Sequence, residues 1–281
     1  MTPQRALRLF PALFLLGFIA VFDCPAFAQE ATPPSVPVDQ VMKLDVQDVS
    51  PPLPEQIPEI DPLALYGGDV VFDVYRKGSK VGEHRAKFAR QGDDLTVTTH
   101  FDLAVDVLFF TAYKFDYDST EVWRKGQLQA VAVNVDDNGK VSSVKAKMED
   151  GLFKIEGPRG AFIASSWVFP TNHWNRGQAN AKTILNTLTG GLAQVTIINR
   201  GIQRVETAQG SVEADHFEYT GDLRDTHVWY DAQNRWVKMR FKGRDGSVIE
   251  YRCRECGLAP GQTNAIADES VTPVPKPTGP S

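Results

Sequence analysis

The chain has 281 residues, 42% of them hydrophobic and 23% charged, with 22 Gly, 18 Pro and 3 Cys. That composition excludes collagen, a coiled coil, a disulfide-dense miniprotein and wholesale disorder. With 30 Lys and Arg against 35 Asp and Glu, the net charge of −5 argues against nucleic acid as a partner, because phosphate neutralisation supplies most of that affinity.

Residues 1–28 read as a secretory signal peptide. Arg5 and Arg8 form a positive n-region, residues 9–22 are apolar, and Ala26-Phe27-Ala28 is a small-x-small cleavage site. The apolar stretch is short for a span, which needs about 20 residues. Cleavage after Ala28 would leave a periplasmic chain with no transmembrane segment. It would also remove Cys24 and leave the pair Cys253 and Cys256 in an oxidising compartment.

Proline divides the rest. Sixteen of the 18 prolines lie outside residues 63–257. Residues 29–62 hold eight of them and read as an extended, partly polyproline linker, since Pro fixes φ and removes a donor. Residues 258–281 read as a second disordered, proline-rich tail. Residues 63–257 then form a single β-rich domain.

Within that domain, alternation of period two dominates. From Leu95 to Tyr117 the odd positions include Phe101, Leu103, Val105, Val107, Phe109, Tyr113 and Phe115, and the even ones His100, Asp102, Asp106, Lys114 and Asp116. One face therefore meets a core and the other meets water. Twenty-three residues are too long for one strand, so a turn or bulge is expected near residues 104–108. Asn138-Gly139 and Asp245-Gly246 sit between apolar runs as hairpin turns. Lys77-Gly78, Gln91-Gly92, Lys125-Gly126, Asp150-Gly151, Gln209-Gly210 and Thr220-Gly221 mark others. Strands joined this tightly are antiparallel, and about eleven or twelve are expected from these spacings. Residues 172–188 depart from the pattern: Trp174, Ala181, Ile184, Leu185 and Leu188 lie near helical spacing before Gly190-Gly191, which predicts one short helix. The fold class is mainly β, an antiparallel meander forming a curved sheet or incomplete barrel with that helix over its open side.

The order of landmarks carries a resemblance. Tyr75-Arg76-x-Gly78 and Gly82-x-His84 are followed by Glu121-x-Trp123 and Gly126-x-Leu128. Then come Ser166-Trp167, Asn172-His173-Trp174-Asn175, Thr189-Gly190, Trp229-Tyr230-Asp231, Trp236, Asp245-Gly246-Ser247 and Tyr251. Over about residues 68–256 the chain resembles the exported bacterial domain-of-unknown-function family numbered 6134. The half-barrel that this implies is similar to the periplasmic lipoprotein carriers. That likeness concerns fold, and the family brings no catalytic residues to carry over.

Candidate chemistry is sparse. Cys253-Arg254-Glu255-Cys256 reads as a disulfide, with free thiols or redox exchange as alternatives. The pair ends a predicted strand rather than opening a helix, where the dipole would lower a thiolate pKa. His216 and Glu218 share one strand face, and Asp225 and His227 share one on the next. A hairpin would bring them together as a metal or acid–base cluster, or they are wet-face polar residues; no metal site and no cofactor is assigned. Asp116, Asp118 and Glu121 read as a solvated, carboxylate-rich face. His173 lies at the predicted loop-to-helix junction, with Asn172 as the cap, and is either packed beside Trp174 or part of a ligand-facing cluster. No nucleophile elbow, P-loop, H-E-x-x-H or dinucleotide glycine motif occurs, and no catalytic residue is assigned. Phe109, Tyr113 and Phe115 share one parity and would line either a filled core or an apolar cavity. With His173 and Trp174 they are the candidate ligand-binding residues. The functional expectation is an exported, non-catalytic binding or carrier module for a lipid or other apolar envelope component. The alternatives are an envelope scaffold that reaches a protein partner through its proline-rich arms, or a hydrolase around His173.

Overall fold

Turns that tolerate positive φ convert the alternating segments into hairpins. At one of them, Asn138 and Gly139 take φ of 55° and 87°, the pair that a two-residue turn demands. A computed structural model describes residues 59–107, 110–164 and 168–257. The chain opens with α1 (Pro62–Tyr66), capped by the Asp61 side chain on the Leu63 amide and closed by Gly67 at φ 70°. Pro62 belongs to the proline-rich stretch read as a linker, but at the first helical turn its missing N–H costs nothing.

Among the described residues fifteen strands follow. They are β1 (Val70–Arg76), β2 (Ser79–Gln91), β3 (Asp94–Val107), β4 (Phe110–Arg124), β5 (Gln127–Asp137), β6 (Lys140–Glu149), β7 (Leu152–Gly157) and β8 (Gly160–Ala164). Then come β9 (Phe169–Pro170), β10 (Thr183–Leu185), β11 (Leu192–Thr207), β12 (Gly210–Gly221), β13 (Thr226–Asp231), β14 (Trp236–Lys242) and β15 (Val248–Glu255). All belong to one curved, unclosed sheet in the order β8-β7-β6-β5-β4-β3-β2-β1-β15-β14-β13-β12-β11-β10-β9. The expected antiparallel meander is what forms, and the expected break between β3 and β4 follows a bulge at Val105/Asp106.

Residues 172–188 differ from expectation. They hold a 3-10 turn, Arg176–Asn180, and strand β10, not an α-helix of several turns. Asn175, not Asn172, caps the turn through the Gly177 amide at 2.9 Å. The near-helical spacing of Ile184 and Leu185 is the trace of a fully buried strand, which reads as a continuous apolar run. This segment also accounts for strands beyond the dozen expected.

The two edges, β8 and β9, are neighbours in sequence, so the sheet nearly returns to its start. The turn after β7 meets the turn after β10: the Arg159 amide donates to the Thr189 carbonyl at 3.1 Å. Gly157 is required there, because a Cβ on it would lie 2.9 Å from the Gly190 Cα.

On the convex side a bulge between Asn199 and Ile202 bends β11. The far end of the β11–β12 hairpin then makes its own small core from Val205, Val212, Ala214, Trp229 and Val237. Its tip reaches β15, where the Ala208 amide donates to the Cys253 carbonyl at 2.9 Å. Cys253 and Cys256 are joined by a disulfide. Among the described residues no helix is long and apolar enough to cross a membrane.

Candidate functional site: a loop seated on the inner face

Residues 171–182, between β9 and β10, run across the concave face of the sheet. The loop is drawn together at its base. β9 pairs parallel with β10 in an otherwise antiparallel sheet. The Thr171 and Thr187 hydroxyls lie 2.7 Å apart, and Tyr117 on β4 donates to Thr187 Oγ1 at 3.1 Å. Six hydrogen bonds then tie the loop to α1 and to four strands. Asn172 Nδ2 donates to Thr99 Oγ1 (2.8 Å) and Glu121 Oε1 (3.2 Å), and Trp174 Nε1 donates to Glu121 Oε2 (3.2 Å). The hydroxyls of Tyr66, Tyr230 and Tyr219 donate to the Trp174 carbonyl (2.8 Å), the His173 carbonyl (3.0 Å) and Gln178 Oε1 (3.0 Å). Gln178 Nε2 in turn donates to the Pro170 carbonyl. Burial holds the Tyr66, Tyr219 and Tyr230 hydroxyls well above the usual phenol range, so they remain donors.

Glu121 is the centre of this arrangement. It is completely buried, and it also accepts from Trp123 Nε1 at 2.8 Å. The solvated face read for Asp116, Asp118 and Glu121 is therefore corrected. Asp118 is exposed, whereas Glu121 has the inward parity of Tyr117, Ser119 and Trp123. Desolvation pushes its carboxyl up to about 7, although three donors to the carboxylate oppose the shift.

Beside this polar group lies a cluster of rings. Trp174 meets Trp123 and Phe88 edge-on. Trp236 meets Phe72 at 4.1 Å, His84 at 5.2 Å and His173 at 5.7 Å. His84 also touches Phe101 and Tyr251. These rings and the loop fill the inner face with side chains. His84 is 7% exposed, and neither of its ring nitrogens has a partner among the described residues. His173 is 3% exposed, and its Nδ1 has none. Burial depresses His84 to about 3 and His173 to about 4, so both are neutral. A neutral imidazole carries one donor and one acceptor. His84 thus leaves both unmet, at about 1–3 kcal/mol for each buried orphan.

The candidate residues divide. His173 and Trp174 are in the loop and buried. Phe115 reaches them indirectly, through Phe101 at 5.5 Å and then His84. Tyr113 stands apart, donating to Asp137 Oδ1 at 2.8 Å near the β3–β4 end. Phe109 lies outside the described residues, as do Ser166 and Trp167. On the convex side His216 Nε2 and His227 Nδ1 are 2.9 Å apart, and Glu218 pairs with His227 across the strands. The ring centroids are 5.1 Å apart, about the N···N distance plus the two ring radii. The two nitrogens therefore point along one line, as in an N–H···N hydrogen bond, whereas a tetrahedral metal needs converging lone pairs. His216 stacks on Trp229 at 4.5 Å, and burial lowers it to about 4. Among the described residues no group of three or more His, Cys, Asp or Glu is placed to hold a metal ion.

Sequence reasoning missed Tyr66, Thr99, Glu121, Tyr219 and Tyr230 as partners of the loop, and Asn172 and Gln178 as loop residues that bond to the strands. Parity alone would have turned Glu121 inward. The pairing of Asn172 and Gln178 with distant strands has no local signal.

The family described as "Domain of unknown function (DUF6134)" matches residues 72–254, and the chain belongs to it. No curated protein and no solved structure matches the chain.

Proposed function

We propose that the chain is an exported periplasmic binding protein that holds a lipid or other long apolar molecule of the envelope between the concave face and the loop 171–182. The observation that carries this reading is how the loop is fastened. It is held by six directional hydrogen bonds above a face of aromatic rings, and it covers imidazole nitrogens that have no partner. A core built only for stability leaves few such groups unmet.

The contacts to be exchanged are of similar size. Six hydrogen bonds at about 1 kcal/mol net each come to ~6 kcal/mol. Burial of ten methylenes yields ~8 kcal/mol, and an acyl chain takes over the ring contacts that Trp174 gives up. A single chain of about ten carbons therefore matches the contacts of the Asn172–Trp174 arm, which gives way while the parallel β9–β10 pairing and the Arg176 stack on Phe217 and Tyr230 keep the rest of the loop attached.

The test is to lock the loop. A Thr99→Cys/Asn172→Cys variant places two thiols where side chains now lie 2.8 Å apart. Oxidised, it should lose uptake of a fluorescent fatty acid, and reduction should restore it, with wild type unaffected by the same reductant. Equal uptake by the oxidised and reduced forms would reject the reading.

A further inference from the structure

Arg176 opens the 3-10 turn of the loop. Its guanidinium carbon lies 4.3 Å from the centroid of Phe217 on β12 and 5.5 Å from that of Tyr230 on β13. Its Nε is buried, without a partner among the described residues. Among the described residues no carboxylate lies within ion-pair distance of it, although the chain pairs many of its other arginines. The nearest carboxylate along the same face of β12 is Asp215, two residues before Phe217 and opposite Tyr230. It makes no ion pair with Arg176.

This arrangement has a direction. A guanidinium stacked on aromatic rings uses its face for the cation–π contact. Its N–H donors lie in the plane and remain free along the edge. That edge is a fork matched to the two oxygens of a carboxylate or phosphate. A partly buried arginine without an anion is uncommon, because buried charges are normally paired. Phe217 and Tyr230 belong to the aromatic core of the inner face, so an anion held by the fork would have its substituent beside apolar rings.

We propose that Arg176 is the head-group anchor of the site, and that the ligand is a single-chain amphiphile with an anionic head, carboxylate or phosphate. This rests on the reading of the inner face as an apolar binding site, and supplies the polar end of its ligand.

The test measures binding of five probes to the full chain by calorimetry: decanoate, decyl phosphate, decanol, acetate and inorganic phosphate. Both anionic amphiphiles should bind roughly tenfold tighter than decanol, which corresponds to about 1.4 kcal/mol. Acetate and inorganic phosphate should bind far more weakly than either. In R176Q the preference of the site for both anionic amphiphiles over decanol should disappear. R176K keeps the charge without the fork and should lie between. Thermal melting of each variant separates loss of binding from loss of fold. Equal binding of decanol and decanoate by wild type, or an acid preference that survives R176Q, overturns the role of Arg176 and leaves the apolar reading standing. Tight binding of the free anions overturns the amphiphile and leaves an anion site. No binding of any ten-carbon probe overturns the apolar reading itself, and this proposal with it.

Discussion

Replacing Glu121 by Gln should make the protein more stable at neutral pH, not less. The native carboxyl titrates at about 7 against an ordinary 4.5. Over that window the folded state holds a proton that the unfolded state has released. Stability from this group is therefore fully present below about pH 4.5 and is lost as pH rises through about 7. At 1.36 kcal/mol per pH unit, the loss comes to roughly 3 kcal/mol. Gln cannot ionise, and it fits the donors. Its carbonyl can accept from both indoles that now meet Oε2, Trp123 Nε1 and Trp174 Nε1. Its amide would then face Asn172, whose Oδ1 has no partner and becomes the acceptor when that side chain turns over. Urea unfolding of wild type and E121Q at a series of pH values gives the difference directly, and the subtraction cancels every other titrating group. The two should agree within about 1 kcal/mol at pH 4.5, and E121Q should lead by roughly 3 kcal/mol near pH 8. Parallel curves would refute the buried, high-pKa carboxyl.

The histidines give the opposite slope. His84 is held neutral down to about 3, so it withholds stability as pH falls below its unfolded value near 6.5. His84→Phe should therefore gain about 2 kcal/mol over wild type between about pH 6.5 and about pH 5, and a difference independent of pH would show that the ring is hydrated. Gly157→Ala drives a methyl to 2.9 Å from Gly190 Cα and should cost about 1–3 kcal/mol in a denaturant melt, with faster exchange of the Arg159 amide. Gly68→Ala, with nothing within 4 Å of its Cβ, is the control, and equal effects of the two would remove Gly157 as the closing contact. Changing Cys253 and Cys256 together to Ser opens a link between residues only three apart, so the loss should be ~2 kcal/mol, and a collapse of the fold would show that the bridge organises far more than its own loop.

Much of the sheet was legible because its signals are local. Alternation from Leu95 to Tyr117 and turn pairs such as Asn138-Gly139 fix hairpins one at a time, and a meander is a chain of hairpins. The loop was not legible. Ile184 and Leu185 sit near helical spacing relative to Trp174 and all three are buried, yet the β-branched Thr183 and Ile184 settle into a strand against β11. Glu121 was misread for a related reason. Carboxylates are rarely fully buried unless paired, and its donors, Asn172 and Trp174, lie 51 and 53 residues away. Arg176 carried no sequence signal, since its significance is the absence of a carboxylate partner among the described residues.

The most direct measurement is a native mass spectrum of the full chain purified from the cells that make it. A non-covalent mass of lipid size should be present, should disappear on denaturation and should be missing from the oxidised Thr99→Cys/Asn172→Cys variant. A bare polypeptide mass before and after denaturation, with no mass gained on incubation with decanoate, would contradict lipid binding.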